Sequence, residues 1–150
     1  MNLTEHFTLD EMTHSDTAQL NGFDNTPNDE ERLNLLHVAE TMEKIRALLG
    51  NKPIRITSGF RSERVNQAVG GVWNSAHRLG LACDFVCPSF GRPEEIAKFL
   101  EPHIEELDID QLIYETVGTA QWVHMGLSTS TPRNEALTFN AKGYTPGIVG

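Results

Sequence analysis

Residues 74–85 of the chain are Asn74-Ser75-Ala76-His77-Arg78-Leu79-Gly80-Leu81-Ala82-Cys83-Asp84-Phe85, and the architecture can be worked out from them. The second half of this stretch, through Val86, is predicted to be a strand, in which neighbouring side chains face opposite sides. Asp84 then shares a face with Ala82 and Val86. An ionised carboxylate among apolar residues is costly unless it is paired or bound to a metal. The stretch therefore predicts a strand that carries a paired or metal-bound carboxylate.

A later strand places a second polar residue in the same situation. The residues that alternate as core on that strand are Val123, Met125 and Leu127. His124 therefore faces the opposite side, together with Trp122 and Gly126. With Asp84, and with His77, which is expected to lie in a loop, it gives a ligand set that suits zinc, and three protein ligands leave the fourth position of the site for water. Spacing alone leaves coincidence open.

The longest periodic segment predicts the main core helix. Apolar residues recur there at gaps of three and four, so they share one helical face. They are Leu35, Val38, Met42, Ile45 and Leu49. Asn28 supplies a start signal and Gly50 a stop signal. Shorter helices are predicted from the capping box Thr8–Glu11, over residues 62–69 and from about residue 93.

Short alternating segments predict the strands. They are residues 54–57, 82–86, 111–115 and 122–127. The last two are joined through Gly118, which indicates a hairpin. Residues 15–28 are predicted to be an irregular connection, and residues 128–150 a loosely ordered tail. Helices grouped around a small, mainly antiparallel sheet make the chain α+β.

Length, composition and charge indicate a single domain over residues 1–150 with its core at about 7–127. The chain has 150 residues, of which 39% are apolar, and this suits one compact core. Its net charge of −9 argues against a nucleic-acid partner, because phosphate binding needs a basic surface. No apolar run approaches the roughly 18 residues of a membrane span. The first residues lack the pattern of a secretory signal, so we expect synthesis in the cytoplasm and action on the outside only after release.

Cys83 and Cys87 are expected to be reduced thiols in the core. On a strand, residues four apart lie about 13 Å from each other. That separation is too large for a disulfide.

Three motifs follow one another along most of the chain. The first in the chain is Thr57-Ser58-Gly59-Phe60-Arg61-Ser62, with Val65-Asn66-x-x-Val69-Gly70-Gly71 after it. The second is Ser75-x-His77-x-x-Gly80-x-Ala82-x-Asp84, and the third is Trp122-Val123-His124. In this order they resemble the active-site arginine stretch, the signature and the last-ligand strand of the zinc D-Ala-D-Ala carboxypeptidase family, in its phage-type branch. The resemblance spans about residues 7–127 and implies the hedgehog/DD-peptidase fold, which agrees with the α+β prediction.

The resemblance implies a role for each residue at a motif position. It makes His77, Asp84 and His124 the ligands of one zinc ion. It makes Arg61 the group that holds the scissile carbonyl oxygen or a substrate carboxylate, which suits a charged, planar fork of donors. It makes Ser75 a hydrogen-bonding residue that lines the site and binds substrate. From the residues alone, a surface salt bridge stays open for Arg61, and a local turn or cap for Ser75.

One position departs from the family's pattern. Many members carry Asp or Glu three residues before the last histidine as the general base, and this chain has Gln121 there. An amide cannot take up the proton. Glu115, at the end of the preceding strand, is the nearest substitute if the two strands pair as a hairpin. The alternative for Glu115 is a solvated carboxylate at a strand end.

The resemblance implies a zinc peptidase, of D,D-carboxypeptidase or endopeptidase type, that cuts an amide bond next to a D-amino acid in peptidoglycan stem peptides. A phage or prophage lysis or virion protein is the setting expected by analogy. An inactive, zinc-stabilised binding or assembly module of the same fold is the alternative from another class, and Gln121 favours it. An L,D-endopeptidase that cuts the L-Ala–D-Glu bond is a second alternative. The sequence leaves the bond, the host and the oligomeric state open.

Overall fold

One mixed sheet organises the chain. The computed structural model describes residues 1–149, and residue 150, the last of the predicted tail, lies outside them. The strands are β1 (Arg55–Ser58), β2 (Ala82–Val86), β3 (Gln111–Val117), β4 (Ala120–Gly126), β5 (Glu135–Asn140) and β6 (Gly143–Pro146). Their order is β1-β2-β4-β3-β5-β6, and every neighbouring pair is antiparallel except β3 with β5. The predicted α+β class with a mainly antiparallel sheet is confirmed.

Helices pack around this sheet, and all of the α-helices except the second begin where the sequence signals predict. The α-helices are α1 (Leu9–Thr13), α2 (Asp16–Asn21), α3 (Asp29–Leu48), α4 (Glu63–Ala68) and α5 (Pro93–Leu100). Two short 3-10 helices span Ala76–Leu79 and Glu101–His103. Thr8 and Glu11 form the predicted capping box of α1, and Asn28 and Glu31 form another at α3. Within residues 1–149, no helix combines the length and the apolar character that crossing a membrane requires.

The sheet has a core face and a face that carries the polar side chains. The fully buried residues of the core face include Phe85, Leu112, Val123 and Met125. The predicted apolar stripe of α3 belongs to the same core. Asp84, His124 and Ile113 stand opposite one another across β2, β4 and β3. Directly paired residues share a face, so Asp84 and His124 lie side by side on the polar face.

The tail expected to be loosely ordered is instead largely part of the sheet. β5 pairs in parallel with β3, and β6 closes a hairpin on β5. Asp110, just before β3, accepts from the guanidinium of Arg133 at 2.7 Å and from its backbone N–H at 2.8 Å. The buried side chains of β5 include Thr138, which is not apolar. The strand therefore lacks the strong alternation that would have predicted it.

Two smaller expectations about irregular structure also need correction. Residues 15–28 contain a helix, α2, which Ser15 caps by accepting from the N–H of Ala18 and which Gly22 ends in the left-handed conformation. His77 lies in the 3-10 helix Ala76–Leu79 and not in an open loop. Both elements are shorter than two α-helical turns, so periodicity cannot reveal them.

Candidate metal centre

The first histidine of the centre is delivered by a short, tightly terminated turn. Ser75 caps the 3-10 helix, its Oγ accepting from the N–H of His77 at 3.3 Å. Gly80 ends the helix with φ +74°, and a Cβ there would lie 2.7 Å from the backbone oxygen of Glu31. Glycine is therefore required at this position both by conformation and by close packing. The turn fixes the distance from His77 to the strand that carries Asp84.

Three side chains converge on one point of the polar face. His77 Nε2 lies 3.2 Å from Asp84 Oδ1, and His124 Nδ1 lies 3.0 Å from the same oxygen. The candidate ligand atoms of the three residues all fall within 4.8 Å of one another. The two imidazole rings meet edge to face with their centroids 5.1 Å apart. The structure thus brings together the three residues that the sequence singled out as ligands.

The spacing of these atoms fits a single small metal ion. A tetrahedral zinc site with bonds of roughly 2.0–2.2 Å separates its donor atoms by about 3.4 Å. His77, Asp84 and His124 are only 3%, 5% and 8% exposed. Three polar groups buried this deeply need a strong partner in common. Two nitrogens and one carboxylate oxygen form a donor set that zinc accepts.

The protonation of His77 is set by its neighbour Gly59. His77 Nδ1 lies 2.8 Å from the carbonyl oxygen of Gly59, which can only accept, so Nδ1 carries the proton. Burial lowers the pKa of His77 against the opposing pull of Asp84, so the ring is held neutral. Nε2 therefore presents its lone pair to the centre. Such support from the carbonyl behind a histidine is typical of metal ligands.

Asp84 and His124 form a hydrogen-bonded pair across β2 and β4. Burial on its own would raise the pKa of Asp84, but its electrostatic interactions and hydrogen bonds with His77 and His124 outweigh burial and hold this pKa far below the ordinary range. Burial likewise works to lower the pKa of His124, yet the hydrogen bond and charge of Asp84 raise it overall. Asp84 is therefore ionised, as a ligand must be.

Arg61 lies beside Asp84, and its guanidinium makes only long contacts. Its Nη2 is 3.9 Å from Asp84 Oδ2, and its Nε and Nη1 make long contacts of 3.4 Å with Ser58 Oγ and Asn66 Oδ1. Its backbone N–H donates to the carbonyl of His77 at 3.0 Å. The surface salt bridge that the sequence left open is not formed. Several donors of the guanidinium remain available to a ligand.

Glu115 reaches the centre from the neighbouring strand. Its Oε1 is 3.7 Å from His124 Nδ1, and the side chain is 18% exposed. Burial and the charge of Asp84 raise its pKa. The indole N–H of Trp122 lies close enough to oppose this rise, although it falls short of a formed hydrogen bond. The hairpin β3–β4 thus brings Glu115 to the metal centre, as the sequence predicted, and not into bulk solvent.

Gln121 lies on the other side of the sheet. It pairs with Thr116 in a register that is regular along the whole hairpin. Residues three apart on a regular strand face opposite sides, so Gln121 points away from the face of His124. An acid at position 121 would be misplaced in this strand. The departure from the family's pattern therefore does not leave the centre without a carboxylate.

An open cleft leads to the centre. Its volume is about 290 Å³, and its lining residues are Thr57, Ser58, Arg61, Val69, Asp84 and Trp122. An adjoining cavity shares Thr57, Ser58, Arg61 and Val69 and continues to His14 and Asp16 at the start of α2. Ser75 lines neither cavity. Its observed contact is the cap of the 3-10 helix, and its predicted role in substrate binding stays a prediction.

Two residues behind the ligands, Gly59 and Asn66, have roles in the folded chain that the sequence did not predict. Gly59 accepts from His77, and a Cβ at Gly59 would lie 2.2 Å from the backbone oxygen of Met12. The sequence placed Gly59 only within the motif that carries Arg61. Asn66, which is 3% exposed, contacts Arg61. The signal available in the sequence was the position of Asn66, a polar residue on the side of α4 that is buried.

Fold and site together define the class of protein: an α+β domain with a buried metal centre on the polar face of its sheet, flanked by an arginine and a carboxylate. Residues 5–126 match the family described as Peptidase M15. The chain belongs to this family. A stretch of 60 residues is 40% identical to the zinc D-Ala-D-Ala carboxypeptidase of Streptomyces albus G. This match covers 40% of the chain but only 24% of that relative, so the chain spans about a quarter of the relative's length.

Proposed function

We propose that this protein is a zinc peptidase that hydrolyses an amide bond next to a D-amino acid in peptidoglycan stem peptides. The observation that carries the proposal is the convergence of His77, Asp84 and His124 between Arg61 and Glu115. Membership of the Peptidase M15 family and the likeness to a zinc D-Ala-D-Ala carboxypeptidase support it. The net charge of −9 gives no general attraction to anionic wall polymers, so recognition rests on the shaped site.

The zinc ion would be held by three side-chain atoms, His77 Nε2, Asp84 Oδ1 and His124 Nδ1. Zinc, when bound, supplies a Lewis acid that polarises a carbonyl group and acidifies water. The hydrogen bond from His77 Nδ1 to Gly59 fixes the ring, so His77 Nε2 is directed at the centre. Gly126 leaves room for the second ring, because a Cβ there would lie 3.3 Å from His124 Nε2.

Glu115 is the residue that moves the proton. It accepts a proton from the attacking water at Oε1 and passes it to the nitrogen of the leaving amine. Its raised pKa suits this exchange, because a carboxylate that is a stronger base than usual takes up the proton more readily. Its position beside His124 places this oxygen within reach of a group bound at the centre.

Arg61 holds the negative charge that develops on the substrate. Its guanidinium approaches Asp84 Oδ2, whereas His124 contacts Asp84 Oδ1. Several of its N–H donors remain available to a substrate. Two parallel N–H groups suit a carbonyl oxygen that becomes an oxyanion, or a substrate carboxylate. The cavity that continues past Arg61 to His14 and Asp16 gives room for an extended peptide, which favours a substrate longer than a dipeptide.

The test is direct hydrolysis. Purified peptidoglycan is incubated with the zinc-loaded protein, with and without a chelator, and released peptides are identified by mass spectrometry. Chelator-sensitive products with a new end at a D-amino acid support the proposal. Products cut at L-Ala–D-Glu would replace it with L,D-endopeptidase activity. A zinc-loaded protein that releases no peptide would leave the inactive binding or assembly module as the better description.

The biological setting is a separate proposal. A phage or prophage lysis or virion protein, made in the cytoplasm and acting on the wall after release, is supported by the likeness of Val65-Asn66-x-x-Val69-Gly70-Gly71 to the phage-type branch. Expression in a host cell with and without a lysis partner that opens the membrane tests it. Wall breakdown only when the membrane is opened is the expected result.

A further inference from the structure

Asn66 is a buried polar residue that the hydrolysis itself does not use. It lies in α4 and is 3% exposed. Its Nδ2 donates to the carbonyl of Val72 at 2.8 Å, and its Oδ1 accepts from Arg61 Nη1 at 3.4 Å. Buried polar side chains in folded proteins almost always have hydrogen-bond partners, and Asn66 has two. This residue joins the arginine of the site to the loop that follows α4.

Gly71 makes the space in which this amide sits. A Cβ at Gly71 would lie 2.1 Å from Asn66 Oδ1 and 3.2 Å from Arg61 Nη1. The preceding glycine has a different reason to be there: Gly70 has φ +76°, and a Cβ on it would meet no atom within 4 Å. Gly70 therefore serves backbone conformation, and Gly71 serves close approach.

The contact with Asn66 opposes a pull on the arginine. Asp84 Oδ2 lies 3.9 Å from Arg61 Nη2, close enough to attract the guanidinium but too far for a hydrogen bond. Without a restraint on Nη1, the guanidinium could close this gap. Its N–H groups would then donate to the Asp84 carboxylate and would no longer be available to a substrate oxygen, since each N–H donates to one acceptor at full strength.

We propose that Asn66 is a positioning residue that holds the Arg61 guanidinium away from Asp84, in the space that Gly71 leaves open. The proposal deepens the proposed function and rests on it, because it concerns the arginine that binds the reacting substrate. Among the described residues, Asn66 forms no hydrogen bond with His77, Asp84 or His124, so the metal content should not depend on it.

A double-mutant cycle on purified enzyme and a muropeptide substrate separates positioning from general stability. Asn66→Ala is expected to lower kcat/KM by roughly 10- to 100-fold, as a misplaced binding group does, with zinc content unchanged. In an Arg61→Ala background the same substitution is expected to cost less than about twofold, because no guanidinium remains to be misplaced. Equal losses in both backgrounds would overturn the proposal.

The adjacent glycines provide a matched pair of controls. Gly71→Ala is expected to reproduce the loss of kcat/KM seen in Asn66→Ala. In the double variant it should add little to that loss, because Asn66 Oδ1, the atom that the new methyl group meets, is then absent. Gly70→Ala adds the same methyl group one residue earlier, where it costs backbone strain only. It should lower the melting temperature and leave kcat/KM within about twofold of the wild type. Similar kinetic losses in both glycine variants would contradict the role given to Gly71.

A crystal structure of the zinc-loaded Asn66→Ala variant distinguishes this proposal from the proposed function. The expected result is a guanidinium that has moved from its wild-type position to within hydrogen-bond distance of Asp84. An unmoved guanidinium overturns the positioning role whatever the activity. A wild-type enzyme without hydrolytic activity would overturn the proposed function, while the shift in the crystal structure would still decide the role of Asn66.

Discussion

The inner strands β2 and β4 and the outer strands β5 and β6 belong to one sheet but hold their charged groups in different ways. On the inner strands, Asp84 and His124 are almost completely buried and contact each other, and the side chains around them are His77, Arg61 and Glu115. Next to the outer strands, Asp110 pairs with Arg133, whose side chain is 59% exposed. Buried charge without water needs a strong common partner, whereas exposed charge does not. The first arrangement suits a metal centre, and the second attaches the tail to the sheet.

The largest effect is expected from removing a ligand of the metal centre. We predict that His77→Ala and His124→Ala each weaken zinc binding by roughly 100-fold or more, because three protein ligands are the minimum of an open zinc site. Elemental analysis after dialysis measures the loss. His103→Ala, on the partly exposed 3-10 helix Glu101–His103, is the control and should retain about one zinc per chain. Full occupancy in the two ligand variants would refute the ligand assignment.

The next prediction concerns the carboxylate. Glu115→Gln is expected to lower kcat by roughly 10²- to 10⁴-fold with zinc retained, because an amide cannot take up or deliver a proton. Gln121→Glu should be tolerated and should not rescue Glu115→Gln, since position 121 faces away from His124. Rescue in the double variant would show that β4 does not keep the regular register described above.

A smaller loss is expected from changing the shape of the cation while keeping its charge. Arg61→Lys should keep the fold and the zinc but lower kcat/KM by roughly 10²- to 10³-fold, because a point charge cannot donate two parallel hydrogen bonds. Arg64→Lys is a matched exchange on the same segment, where the guanidinium packs 4.3 Å from the centre of the Phe23 ring, away from the metal centre. It should leave turnover near the wild-type value. Wild-type turnover in Arg61→Lys would make Arg61 a structural residue only.

The same contrast explains which parts of the molecule the sequence could predict. β2 and β4 stood out because a charged or polar residue interrupts an apolar alternation, and Asp84 and His124 are that interruption. α3 stood out through its five-residue apolar stripe. β5 gave a weaker signal, because its buried side chain, Thr138, is polar, while Leu137 and Phe139 on the opposite face are only half-buried. The hydrogen bond from His77 to Gly59 joins residues 18 positions apart, so only the folded chain reveals it.

The smallest expected effect concerns the outer strands. Asp110→Asn removes the negative charge and one of the two oxygens that accept from the Arg133 guanidinium, and it weakens the bond to the Arg133 backbone N–H; these bonds together hold the segment that leads into β5. We predict a loss of about 1–2 kcal/mol in the free energy of unfolding at pH 7, typical of a charged, bidentate pair that is partly exposed. Zinc content and kcat should be unchanged, because neither residue reaches the metal centre.

The pH dependence of this loss tests its cause. The side-chain hydrogen bond from Arg133 lowers the pKa of Asp110 in the folded protein, and burial opposes it only in part. A depressed folded pKa contributes stability that is fully present above the unfolded value of about 3.9 and is lost as the pH falls through the folded pKa. The difference between wild type and Asp110→Asn in urea unfolding should therefore be constant from pH 7 to about pH 5 and shrink below pH 4. A difference that persists unchanged in acid would mean that Asp110 acts through packing and not through its charge.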